Sequence, residues 1–322
     1  MESFSTHPIL FTQVPALDTV LEKLVSFINA IEDAPQVKEV LTEVIFPYLK
    51  VRFSGVISSS STSATPELLN KWSLITSTLV DILPVSSLFP LVDMWRLAIL
   101  DPAVAIFLSD TTNIPDPISI LLDKASSILS QASLNSPNYI VTLLRLLSNG
   151  FSSPQSTQRI AEDTRESLTA LLIPTLLCKD SGVRKAAASL AFNLSAWVQK
   201  KRGEPVIIGS NSQIGGGGQI DGDWEVEIVT ALVEAIDREN ENEDISDHLF
   251  YSCFILLNDI YTVHRLTASL AFLLRLSPFY QTQLCPLLNV LQARAILKSK
   301  QHVIHRNEVR KLVEEVSEKL CP

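Results

Sequence analysis

Residues 183–194, VRKAAASLAFNL, return eighty residues later as VHRLTASLAFLL at 263–274, with seven of twelve positions identical. A third, weaker copy lies 40 residues before the first, in LLRLLSNGF, where Arg145 takes the position held by Lys185 and Arg265. A spacing of 40 or its multiple is what stacked helical repeats show, because each unit of two or three helices buries its apolar face only against its neighbours. The interval between the two closest copies also contains a Gly-rich and acidic insertion, so its agreement with 80 is partly a matter of that insertion's length.

The rest of the chain suits such a stack. Of 322 residues 46% are apolar and only 10 are glycine, which favours helices over a sandwich or barrel. Segments such as LDTVLEKLVSFINAIED, PELLNKWSLITSTLVDIL and NEVRKLVEEVSEKL place apolar residues three and four apart, the helical period. Asp18, Pro66, Pro117 and Asn307 stand at or near plausible helix starts. Two stretches break the pattern: the Ser-rich SGVISSSSTSATPE at 54–67, and GEPVIIGSNSQIGGGGQIDGD at 203–223, both of linker composition. The expected organisation is a helical lead-in over 1–53, a linker over 54–65, and a repeat domain over 66–322 with an insertion at 203–247. The expected fold is all-α, an armadillo-like α-solenoid wound as a right-handed superhelix.

Helical geometry says what the repeat presents. In the first copy Val183, Ala187, Leu190, Leu194 and Trp197 share one packed face. Lys185, Ser189 and Asn193 form a neighbouring stripe at i, i+4 and i+8; Arg265 and Ser269 continue it in the later copy, Arg145 and Asn149 in the earlier one. Stacking would set these residues in a ladder. Amides there suit an extended peptide backbone, and guanidinium groups suit carboxylates. The plain alternative is a set of exposed helix residues with ordinary local partners.

Charge is unevenly placed. Residues 221–247 hold eleven acids and one base, a net of −10, so the remaining residues sum to −9 + 10 = +1. Residues 179–202 carry six bases and one acid, a net of +5. An acidic chain without a continuous basic face argues against nucleic acid as partner. No uncharged apolar run reaches the ~18–20 residues that span a bilayer, and the start lacks the pattern of a secretory signal. Cys178, Cys253, Cys285 and Cys321 are scattered, which suits reduced thiols in the cytoplasm or nucleus. Trp72 and Trp95 read as core, and Trp224 as an anchor for the acidic helix.

Catalysis is not expected. IGGGGQ at 214–219 lacks the Lys-Ser/Thr of a phosphate loop. His302 and His305 lack a third ligand, so no metal is expected, and no cofactor. His248 and His264 are isolated, and no nucleophile elbow or HExxH is present.

LLRLLSNGF with Arg145, Asn149 and Phe151, ASLAFNLSAW with Asn193, and HRLTASLAFLL with Arg265 together resemble the PUL domain of the phospholipase-activating protein family and its fungal ubiquitin-pathway relatives. The segment LFPLVDMWRLAILDP is also similar to fungal PUL proteins. The resemblance implies an armadillo-like solenoid whose basic groove binds the acidic, tyrosine-containing C-terminal tail of the hexameric AAA ATPase segregase, the valosin-containing protein, in ubiquitin-dependent degradation. It implies Arg145 and Arg265 as tail contacts, Asn149 and Asn193 as backbone clamps, and Lys185 as a supporting cation, with Ser189 and Ser269 on the same stripe. Leu273 stands where the third helix would carry an amide, and the acidic insertion could compete for the groove. The relatives' ubiquitin-binding propeller is missing, so ubiquitin enters only indirectly. A general scaffold or transport adaptor for another acidic peptide is the alternative; the Trp-Asn pair that karyopherin-type grooves repeat occurs here once, at Asn193 and Trp197.

Overall fold

Proline is the first residue of six helices among the described residues, and at four of them the residue before it caps the helix end. In a computed structural model of the chain, Pro66, Pro102, Pro117, Pro137 and Pro154 each open an α-helix. Proline's fixed φ suits the first helical position, and its missing N–H would have had no partner there. Thr65, Asp101, Asp116 and Ser153 cap four of these ends, each accepting a backbone N–H from the first turn. Of the helix starts expected from sequence, Pro66, Pro117 and Asn307 are first residues, and Asp18 lies in the first turn of its helix.

The structure describes residues 6–31, 35–53, 64–130, 136–203, 222–239, 256–301, 304 and 307–322. Among them the fold is all-α, without strands. In chain order the helices are α1 (Leu17–Asn29), α2 (Pro35–Val40), α3 (Phe46–Phe53), α4 (Pro66–Ile82), α5 (Phe89–Ala98), α6 (Pro102–Ser109), α7 (Pro117–Leu129) and α8 (Pro137–Asn149). They continue as α9 (Pro154–Gln158), α10 (Arg165–Leu176), α11 (Ser181–Gly203), α12 (Gly222–Arg238), α13 (Leu256–Leu274), α14 (Cys285–Val290), α15 (Ala293–Gln301) and α16 (Asn307–Lys319). Most of the expected linker over 54–65 and most of the Gly-rich loop lie outside the described residues, as do Cys253, His248, His302 and His305.

Packing divides the chain into two compact units, one of Leu10–Leu171 and one of Met1–Ile9 with Leu172–Pro322. In the first, α5 packs along α8, α4 along α7, and α1 against α5. Its centre is aromatic: Trp72 and Trp95 stack at 4.0 Å, Tyr48 meets Trp72 edge-on, and Trp95 Nε1 donates to Thr76 Oγ1 at 2.9 Å. Both indoles are fully buried, as their apolar settings in the sequence suggest.

In the second unit α11 and α13, the two near-copies, lie side by side. Phe192 and Phe272, eighty residues apart and equivalent in the alignment, meet edge to face at 5.4 Å. The acidic stretch supplies α12, a structural helix of this unit. It packs on α13 and α15 and buries Trp224, Ile228, Leu232 and Ile236. Its Glu225 is wholly buried, where it pairs with Arg202 and accepts from Ser277 Oγ. Arg184 pairs with Glu239 at 2.5 Å. The neighbouring basic and acidic runs in the sequence therefore meet as specific ion pairs inside one unit. Lys300, also buried, closes the end of α12 by donating to the carbonyls of Asp237 and Glu239, each at 2.7 Å.

Candidate functional site

Pro8 and Pro15 bracket the stretch ILFTQV and shape it before any contact is made. Each proline disfavours helix in the residue before it, and neither donates a backbone bond. The stretch runs without regular structure up to α1. Its backbone polar groups therefore have to find partners elsewhere.

In the Leu10–Leu171 unit they find Asn149. This residue ends α8 and is fully buried. Its Oδ1 accepts the Phe11 N–H at 2.6 Å, and its Nδ2 donates to the Phe11 carbonyl at 3.1 Å and to the Arg96 carbonyl at 2.8 Å. Arg96, buried on α5 and paired with Asp93, adds donors to the carbonyls of Phe11 and Gln13. Both polar groups of Phe11 are thus pinned. One turn before Asn149, Arg145 sets its guanidinium over the Phe11 ring, 5.3 Å from the centroid. Arg145 is exposed and pairs with no carboxylate among the described residues. Burial of part of its side chain and the nearby Arg96 push it below the ordinary arginine value, with Asp93 opposing; it remains a cation.

The other unit repeats the amide clamp. Asn193, buried on α11, accepts the Ile9 N–H at 2.7 Å and donates to the Ile9 carbonyl at 3.0 Å. In the same unit Arg265 of α13 donates to Ser189 Oγ of α11 at 2.8 Å. Ser189 in turn donates to the Lys185 carbonyl, and Ser269 to that of Arg265, at 2.8 and 2.7 Å. The stripe read from the sequence is therefore in register across α11 and α13. Leu273, where an amide was lacking, is buried, and its carbonyl accepts from Arg202.

Of the seven candidates, Lys185, Ser189, Asn193, Arg265 and Ser269 belong to one unit and Arg145 and Asn149 to the other. The two asparagines grip backbone on both its donor and its acceptor, but the backbone is the chain's own. Three partners, Ile9, Phe11 and Arg96, went unassigned from the sequence. The proline bracket and a lone arginine in the apolar LVDMWRLAIL were the signals available for them. His264 is half-buried, and burial and Arg265 hold its imidazole below its usual value. No group of three or more His, Cys, Asp or Glu among the described residues is placed to hold a metal ion. No helix there is long and apolar enough to cross a membrane.

The PUL domain model matches residues 5–318. The chain belongs to the PUL domain family. The match takes in the amide clamps, the segment they hold and helices α1, α2 and α3. PUL domains are armadillo-like α-solenoids and protein-interaction modules, which agrees with the all-α repeat packing found here. A comparison with curated proteins found no match.

Proposed function

We propose that this PUL domain is a non-catalytic adaptor that captures an acidic peptide, the C-terminal tail of the AAA segregase, and so serves ubiquitin-dependent degradation in the cytoplasm or nucleus. The observation that carries this reading is Arg145: an exposed guanidinium without a carboxylate partner among the described residues, held against Phe11 and beside Arg96. A cation so placed is ready for an incoming carboxylate, and a charge-assisted contact of this kind is worth about 1.5–3 kcal/mol. Lys185 and Arg265 are the corresponding cations of the other unit, with Ser189 and Ser269 supporting Arg265.

Asn149 and Asn193 receive a different role from the one their motif positions implied. Their amides hold Phe11 and Ile9, so the incoming peptide is read through its carboxylates rather than through these clamps. In the acidic insertion's described part, Glu225 of α12 pairs with Arg202, and Glu239 just after α12 pairs with Arg184, all within one unit. Any link to ubiquitin runs through the segregase or another chain. Calorimetric titration with whole segregase hexamer tests the assignment. Micromolar binding that disappears when the segregase lacks its last ten residues supports it; equal binding to the truncated hexamer overturns it.

A further inference from the structure

Arg145 sits on α8, one turn from a helix end, with a long side chain that has several rotamers open to it. An exposed arginine of this kind loses side-chain entropy when a ligand fixes it. Here something fixes it beforehand. Phe11 is held at its N–H by Asn149 and at its carbonyl by Asn149 and Arg96, so its ring is anchored by three hydrogen bonds rather than hung on a loose segment. The guanidinium lies over that ring. A ring that covers one face of a guanidinium leaves the in-plane N–H donors at its edge uncovered, and those donors bind carboxylates.

The geometry points to Phe11 as a positioning residue: it orders the Arg145 guanidinium and leaves its donor edge open to a carboxylate of an acidic peptide. The inference rests on the peptide-binding reading above, since the carboxylate is that of the bound tail. It adds that the segment around Phe11 is part of the site and not a stand-in for the ligand. Asp93, the acid whose charge acts on Arg145, is engaged by Arg96. The balance of Arg96, Arg145 and Asp93 is one net positive charge beside the ring.

Three variants of the whole chain test this: Phe11→Leu, which keeps an apolar side chain and the backbone bonds; Phe11→Tyr, which restores the ring; and Arg145→Ala. The probe is a fluorescein-labelled ten-residue peptide of the segregase tail, read by anisotropy. An exposed cation–π contact corresponds to a change of about threefold to fivefold in affinity. The expected result is weakening of that size in Phe11→Leu, recovery in Phe11→Tyr, and no further loss when Phe11→Leu is added to Arg145→Ala. Unchanged binding in Phe11→Leu overturns the inference while leaving the peptide-binding reading standing. Tighter binding in Phe11→Leu also overturns it, by showing the segment to be a competitor of the peptide. A peptide-free readout separates the two failures. In the wild type the Arg145 Nε–H resonance is expected to be shifted upfield by the ring, and to return in Phe11→Leu and stay in Phe11→Tyr. If the peptide does not bind at all, the functional reading fails; an Arg145 resonance insensitive to Phe11→Leu overturns the positioning role independently.

Discussion

Replacing Asn149 with alanine removes one side chain and three hydrogen bonds at once: two to Phe11 and one to the carbonyl of Arg96. Each buried bond is worth about 1 kcal/mol net, and a buried group left without a partner costs about 1–3 kcal/mol. Phe11 is only half-buried, so water can reach part of what is lost there. The Arg96 carbonyl lies in the last turn of α5, where the Leu100 N–H bonds Leu97 instead, so the loss of its Asn149 donor counts in full. The sum is therefore about 2–3 kcal/mol off the Leu10–Leu171 unit. Asn149→Asp separates the two halves of the amide, keeping an acceptor for the Phe11 N–H while removing the donor to both carbonyls. Denaturant unfolding followed by tryptophan fluorescence reads this unit once Trp197 and Trp224 of the other unit are replaced by Phe, because Trp72 and Trp95 form its centre. Hydrogen exchange reads the clamp itself: the Phe11 amide should be protected in the wild type and exchange freely in Asn149→Ala. A loss below about 0.5 kcal/mol, together with a Phe11 amide that exchanges at the free-peptide rate in the wild type, would refute the reasoning.

Glu225→Ala leaves the Arg202 guanidinium in a largely buried position without its carboxylate, and such a change costs about 3–5 kcal/mol. Thermal unfolding should show it, and Glu225→Ala combined with Arg202→Met should recover much of the loss. His264 gives a pH dependence. Burial and Arg265 hold its folded-state value below 6.5, so the unfolded chain takes up the proton first as pH falls. The stability of its unit is therefore present above about pH 6.5 and declines from there downward; His264→Asn should flatten that limb of a plot of unfolding midpoint against pH.

Much of this was legible in the residues. The offset of 80 between two near-copies places Phe192 on Phe272 and Ser189 beside Arg265, because equivalent positions of stacked helices become neighbours. Proline and its capping residue marked helix starts because the preference there is local. What was hidden is long-range. Asn149 and Asn193 carry amides suited to backbone, but nothing near them in sequence says whose backbone; the answer lies 138 and 184 residues away. The acidic run likewise reads as a solvated face until α12 folds and brings Glu225 to Arg202, whose attraction depends on a contact no periodicity reveals. A Ser-rich stretch like the one before residue 66 looks like a domain edge whether or not the elements on its two sides pack together. Here α1 packs on α5.

The most direct test of the central claim is the affinity of a labelled segregase tail peptide for the wild type and for Arg145→Ala, measured by fluorescence anisotropy with helicity checked by circular dichroism. The account predicts saturable micromolar binding by the wild type and a loss of about tenfold or more in Arg145→Ala, the equivalent of one charge-assisted contact. A wild type that does not bind, or an Arg145→Ala variant that binds equally well, would contradict it.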